Sequence, residues 1–191
     1  MSAKGVEAVV IGASAGAIQA LSRILPDLPA SYPIPVLVVV HIPDDRADLL
    51  APLFQAKCRV VVKEAEDKEP ILPGVVYFGP SGYHLLVEED RTVSLSSDEP
   101  VLYSRPSIDV LFESAADAFG DGLVGVILTG ANEDGAEGLR AVVAGGGVAL
   151  AEDPAGAFAP TMPSAALAKS AEARCVPLEA IAAYLVQLGT A

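Results

Sequence analysis

Short apolar runs rich in Val and Ile alternate along the chain with longer stretches in which apolar residues recur at helical spacing. This is the pattern of βα units laid around a mainly parallel sheet. The strands so predicted are Glu7–Ile11, Pro35–Val40, Arg59–Val62, Val75–Phe78, Val124–Leu128 and Gly147–Ala151. Most are nearly all apolar, as strands must be when helices cover both faces of their sheet. Helices are predicted over Ala15–Leu25, Arg46–Ala56, Ile108–Phe119, Gly135–Ala144, Pro163–Ala171 and Leu178–Leu188, with Ser107 as the N-cap of the third. Between Glu64 and Ser104 the alternation breaks, and His84–Glu88 with Arg91–Leu95, joined by Glu89–Asp90, reads as an inserted β-hairpin. The expected architecture is α/β: a three-layer α/β/α sandwich with a doubly wound, mainly parallel sheet and one inserted hairpin. No repeat or low-complexity linker divides it, so residues 1–191 are read as a single domain.

Composition narrows the function classes. With 52% hydrophobic residues over 191 positions the chain can bury a full core without staples, and disorder is excluded for most of its length. Cys58 and Cys175 are too few and too far apart for a disulfide framework or a thiolate zinc site, and are expected to be buried, inert thiols. Twelve Lys+Arg against 25 Asp+Glu leave a net charge of −13, and aromatics make up only 5% with no Trp. That combination supplies neither the positive footprint nor the stacking platform of a nucleic-acid binder. The uncharged stretch Leu28–Pro43 carries Pro29, Pro33, Pro35 and Pro43, so no helix there spans the ~20 residues a bilayer requires. The N-terminal apolar run is interrupted by Gly12 and Gly16 and is not read as an export signal. The expectation is a cytoplasmic protein with no membrane insertion.

In open α/β sheets ligands bind beyond the carboxyl ends of the strands, so chemistry is sought there. Directly after the first strand comes Gly12-Ala13-Ser14-Ala15-Gly16, a G-x-S-x-G pattern that leads into a helix and exposes a serine hydroxyl on a tight turn. The first N–H groups of that helix lack intrahelical partners and point toward the same space, where they can hold an oxyanion. The competing readings of the turn are an N-cap and a phosphate cradle, although G-x-G-x-x-G is absent. Of the two histidines, His41 ends the apolar run Val36–Val40. If its strand neighbours the first, His41 and Ser14 stand about one inter-strand spacing, ~5 Å, apart. His84 opens the hairpin and is kept as a contact at the lip of the site. Asp134, after the buried run Val124–Leu128, is placed to orient the imidazole; Glu133 is its nearest competitor for that role, and the plainer role of Asp134 is to cap the helix from Gly135. Asp44 and Asp45 have no second histidine at ligand spacing and are read as a solvated helix start, so neither a metal nor a cofactor is called for. Arg105 is placed near the active edge, with a surface ion pair as its plainer role.

Taken in order, Ile11-Gly-Ala-Ser14, His41-Ile-Pro43, Glu64-Ala-Glu-Asp67, Leu72-Pro-Gly74, Arg105-Pro-Ser-Ile-Asp-Val-Leu-Phe112, Gly125-Val-Ile-Leu-Thr-Gly130, Asp134-Gly135 and Met162-Pro163 form a highly specific series. Through it the chain resembles, from Val9 to Pro163, the catalytic domain of the chemotaxis protein-glutamate methylesterases (CheB). The resemblance implies a serine esterase that hydrolyses γ-glutamyl methyl esters on methyl-accepting chemotaxis receptors and deamidates glutamines. Its nucleophile, base and orienting acid fall on Ser14, His41 and Asp134. Two departures stand out. Ala15 and Ala17 replace a threonine and a glycine after the serine, and Ala131-Asn132-Glu133 stands where the family usually has Met-Gly before its Asn-Asp-Gly. Asn132 is a residue that tolerates a left-handed backbone should the turn demand one. The family's N-terminal receiver domain has no counterpart before the first strand, so control in cis is not expected. The alternative reading is a catalytically impaired adaptor or sensory module that keeps the fold.

Overall fold

The computed structural model describes residues 5–43, 46 and 48–190; Asp44 and Asp45, read above as a solvated helix start, lie outside the described residues. Among the described residues nine strands run in chain order as β1 (Ala8–Ala13), β2 (Val36–Val40), β3 (Val61–Glu64), β4 (Val75–Phe78), β5 (His84–Val87), β6 (Val93–Ser96), β7 (Leu123–Ile127), β8 (Val148–Glu152) and β9 (Arg174–Val176). Seven of them form one sheet in the order β3-β4-β2-β1-β7-β8-β9, every described pairing of which is parallel. The other two, β5 and β6, make the antiparallel hairpin expected from the sequence, with Val87 opposite Val93.

The helices are α1 (Ala17–Ser22), α2 (Leu50–Gln55), α3 (Ile108–Phe119), α4 (Ala136–Ala144), α5 (Thr161–Lys169) and α6 (Leu178–Leu188). Alternation along the central strands divides the core in two. Val9 and Ile11 of β1 join Val36 and Val38 of β2 against Leu21 of α1, Phe54 of α2 and Leu185 of α6. Val10 and Leu37 point the other way, onto Leu111 and Phe112 of α3, Leu139 of α4, Met162 of α5 and Leu85 of the hairpin. Since successive side chains of a strand face opposite sides, strands that are apolar at every position must be covered twice, and they are. From β1 the chain passes to β2, runs out to the edge at β3, comes back to insert β4 between β3 and β2, and later lays β7 against the other side of β1. The loops after β1 and β7 therefore part to opposite faces and open a crevice at the carboxyl edge.

Three sequence expectations need correction. Helix α1 begins at Ala17 rather than Ala15, because Gly16 takes a left-handed conformation (φ 84°) at its N-cap. A Cβ at that position would lie 2.8 Å from the Cβ of Phe158, so the close approach also requires glycine. Strand β9 was not anticipated. It is a three-residue edge strand, largely exposed, and its ladder is set by pairing with Leu150–Glu152 rather than by an apolar pattern of its own. On β9, Cys175 is exposed, and Cys58 is only half-buried, so neither is the fully buried thiol expected. Among the described residues no helix is long and apolar enough to cross a membrane.

Helices α3 and α4 pack closely enough that a Cβ on Gly138 would lie 2.6 Å from the Cβ of Phe112 and 3.1 Å from the Cα of Asp109. Alanine at this position gains ~1 kcal/mol in helix propensity but overpacks the contact at a cost of ~1–3 kcal/mol. Gly138→Ala is therefore expected to lower the urea midpoint at unchanged slope; a higher midpoint would mean that the two helices separate at no cost.

Candidate active site

Ser14 leaves the end of β1 and His41 the end of β2. These strands are neighbours, with Ala13 opposite Val40, and the His41 N–H donates to the Ala13 carbonyl at 3.1 Å. The condition attached to the two residues in the sequence is met. Asp134 comes from the loop between β7 and α4, and β7 flanks β1 on its other side. A bond from the Ser14 N–H to the Thr129 carbonyl (2.9 Å) fastens the first of these loops to the third.

Asp134 has no exposed surface. Its Oδ2 accepts hydrogen bonds from His41 Nε2 and from the Ile108 N–H, both at 2.7 Å. Its Oδ1 accepts from Ser107 Oγ (2.9 Å) and the Asp109 N–H (3.0 Å). The carboxylate thus sits on the amino end of α3 and satisfies N–H groups of the first turn, which have no partner within the helix. Ser107 is the N-cap residue as expected, but its hydroxyl reaches Asp134 instead of the helix backbone. Nor does Asp134 cap its own helix. That role falls to Asp109 of α3, whose Oδ1 accepts from the N–H groups of Gly135 (2.9 Å) and Gly138 (2.7 Å) of α4. Each helix start is held by a carboxylate from beside the other.

The two acids are shifted in opposite directions. Burial alone would raise Asp134, but the His41 hydrogen bond, followed by the N–H groups of Asp109 and Ile108, outweighs it and holds the carboxyl below its usual range. For Asp109, burial wins over the N–H of Gly138, and with the added charge of Asp134 it pushes the carboxyl up to about 6. An ionised carboxylate only accepts, so His41 Nε2 is the donor in the short pair, and Nδ1 carries the lone pair. In the general serine–histidine–acid template the two nitrogens are used the other way round. Nδ1 lies 3.2 Å from Nδ2 of Asn132.

Ser14 and His41 line one cavity of about 350 Å³, together with Ile18, Ile42, Arg46 and Phe158. The Ser14 hydroxyl makes no hydrogen bond among the described residues, and neither do the backbone N–H groups of Ala15 and Gly16 beside it. His84 does not stand at a lip. It is 2% exposed, its Nδ1 accepts the Ser107 N–H at 3.1 Å, and its Nε2 lies 3.0 Å from the Glu99 carbonyl, so it braces the rear of the Asp134 network. Arg105 makes no ion pair among the described residues. Its Nη1 donates to the carbonyls of Ser97 (2.9 Å) and Asp98 (3.0 Å), and the residue lines a cleft that also includes His41 and Pro43. Sequence reasoning missed Asp109 and the bracing role of Ser107, although both belong to the run Arg105–Phe112 that carried part of the resemblance.

The model of the CheB methylesterase family matches residues 9–185. The chain belongs to that family. It is 46% identical over 182 residues to a protein of Leptospira interrogans named putative protein-glutamate methylesterase/protein-glutamine glutaminase, covering 95% of this chain and 94% of the relative. It is 40% identical over 186 residues to the protein-glutamate methylesterase/protein-glutamine glutaminase of Bordetella bronchiseptica, and there it spans only 53% of the relative's length. The crystal structure of the Thermotoga maritima CheB methylesterase catalytic domain superposes with a TM-score of 0.91 at 32% identity, covering 97% of this chain and all of that one. The shared catalytic-domain fold is the α/β architecture expected from the alternation of strands and helices.

The Asp109 carboxyl offers a direct test of the paired caps. Its folded-state pKa, raised from 3.8 to about 6, means that the folded chain binds a proton more tightly than the unfolded chain does. Its favourable contribution is therefore complete below pH 3.8 and is lost as pH rises through 6. Asp109→Asn keeps an acceptor for Gly135 and Gly138 but cannot ionise, so it is expected to remove this loss of stability between pH 4 and 7. Asp109→Ala removes the acceptor and is expected to cost ~1–2 kcal/mol at every pH in denaturant titrations. Parallel pH–stability curves for wild type and Asp109→Asn would contradict the assignment.

Proposed function

We propose that the chain is a protein-glutamate methylesterase in which Ser14 is the nucleophile, His41 the general base and Asp134 the group that orients the base. The observation that carries this reading is the 2.7 Å bond from His41 Nε2 to a wholly buried Asp134 carboxylate, made beside the cavity that His41 shares with Ser14. An imidazole so held keeps one tautomer and presents Nδ1 to a proton donor.

The Ser14 Oγ attacks the carbonyl carbon of a γ-glutamyl methyl ester while His41 Nδ1 takes the hydroxyl proton. The tetrahedral oxyanion meets the unpartnered N–H groups of Ala15 and Gly16. The imidazolium returns the proton to the departing methoxide, which leaves as methanol. Water then attacks the acyl-enzyme with His41 again as base, releasing the glutamate carboxylate and restoring Ser14. A glutamine amide passes through the same acyl-enzyme with ammonia as the leaving group, in keeping with the double name of the relatives. General base catalysis contributes about 10²–10⁴ to such a reaction and each oxyanion donor about 10²–10³. The expected substrate is a methylated chemotaxis receptor, met in the cytoplasm. Arg46 and Arg105 on the two cavities beside His41 temper locally a chain of net charge −13, which favours approach by an acidic receptor segment.

Ser14→Ala and His41→Ala are each expected to reduce methanol release from methylated receptor fragments to the background rate, with circular dichroism unchanged. Wild-type rates in either variant would remove the proposal.

A further inference from the structure

The network around His41 has a fourth member that the proposed mechanism does not use. Asn132 is half-buried, and its backbone has no positive φ, so the turn does not need the left-handed conformation that asparagine tolerates. Its side chain bridges two groups instead. The Oδ1 accepts the N–H of Asp134 at 3.1 Å, which fixes the orientation of the amide, because Nδ2 has no lone pair to offer that N–H. Nδ2 is then the atom 3.2 Å from His41 Nδ1, and it can only donate. Both ends of the ring agree. The Asp134 carboxylate requires a proton on Nε2, and the Asn132 amide requires a lone pair on Nδ1.

An imidazole nitrogen has one in-plane lone pair and accepts one strong hydrogen bond. In this structure Asn132 holds it, and the Ser14 hydroxyl has no partner among the described residues. Resting on the assignment of Ser14 and His41 as nucleophile and base, we infer that Asn132 is a positioning residue that latches the base. Its amide selects the reactive tautomer and at the same time occupies the nitrogen that Ser14 must reach. The two donors exclude each other on that lone pair. Once Nδ1 has taken the serine proton, it too becomes a donor and faces the amide N–H₂ with nothing to accept it, so the Asn132 bond has to be given up for the hydroxyl to react. The Asp134 N–H bond to Oδ1 tethers the amide close by for re-engagement. Position 132 therefore sets how often the base is available, a property that Asp134 behind the ring does not control.

The test separates acylation from the rest of turnover with a fluorophosphonate: the Ser14 Oγ–P bond forms, the P–F bond breaks, fluoride leaves, and His41 takes the hydroxyl proton. Asn132→Ala removes the competing donor and is expected to raise the second-order rate of Ser14 phosphonylation about 2- to 10-fold, the rate equivalent of one net neutral hydrogen bond. Asn132→Asp keeps the acceptor for the Asp134 N–H but turns an oxygen toward Nδ1, favours a proton there and is expected to slow the reaction. In ¹⁵N spectra of the full wild-type chain with labelled histidine at pH 8, His41 should show a lone pair on Nδ1 and a proton on Nε2. A rate in Asn132→Ala equal to or below that of wild type, or a wild-type His41 protonated at Nδ1, would overturn the latch. The spectrum decides even where a variant folds poorly. Failure of the underlying assignment looks different, because wild type itself would then leave Ser14 unlabelled.

Discussion

A single buried anion organises the carboxyl edge of the sheet. Moving an isolated carboxylate out of water costs several kcal/mol even after relaxation, so Asp134 is tolerable at zero exposure only because donors surround it. Two backbone N–H groups at the start of α3, the Ser107 hydroxyl and the His41 ring supply them. The arrangement binds elements far apart in the chain, since the loop after β7 can keep its anion only while α3 is packed beneath it and His41 stands above the end of β2. Site geometry and core packing are in this sense one constraint.

The reciprocal role of Asp109 extends this outward. With Asp134 capping α3 and Asp109 capping α4, the two helix starts are fixed relative to each other, and close packing at Gly138 leaves them little freedom to slide. Behind them His84 accepts the Ser107 N–H, so the inserted hairpin serves as a rear brace and not as a wall of the site. Groups placed on regular elements and held by partners of their own are positioned more sharply than groups on free loops. The opposite shifts of the two acids follow from the same design, because the carboxyl with the ring and two helix N–H groups stays ionised, while its neighbour is raised first by its own burial and further by that charge.

Much of this was legible along the chain. Strands apolar at every position announced a sheet covered on both faces, and their order with the intervening helices announced parallel winding. Ser14, His41 and Asp134 were each picked out because they follow such a run directly, where loops must converge. Asp109 and Ser107 were not, since within an amphipathic helix start an acid and a serine look like ordinary N-terminal residues whose partners lie on the next residues. Asn132 stands out along the chain only as a departure from the family's glycine, since a side-chain partner 91 positions away leaves no local trace. The short edge strand β9 escaped for a related reason: its conformation is imposed by β8, not encoded by its own pattern.

What the sequence determined by itself was therefore what depends on local periodicity and on position relative to a strand end: the layers, the hairpin, and the placing of Ser14, His41 and Asp134 after three neighbouring strands. The tertiary structure alone decided which groups satisfy which. Asp134 caps a distant helix in preference to its own, Nε2 and not Nδ1 faces the acid, and the Asn132 amide lies against the remaining nitrogen. Hydrogen bonds saturate, each donor or lone pair accepting essentially one partner, and that competition is settled by distances of a few tenths of an ångström that no one-dimensional pattern contains.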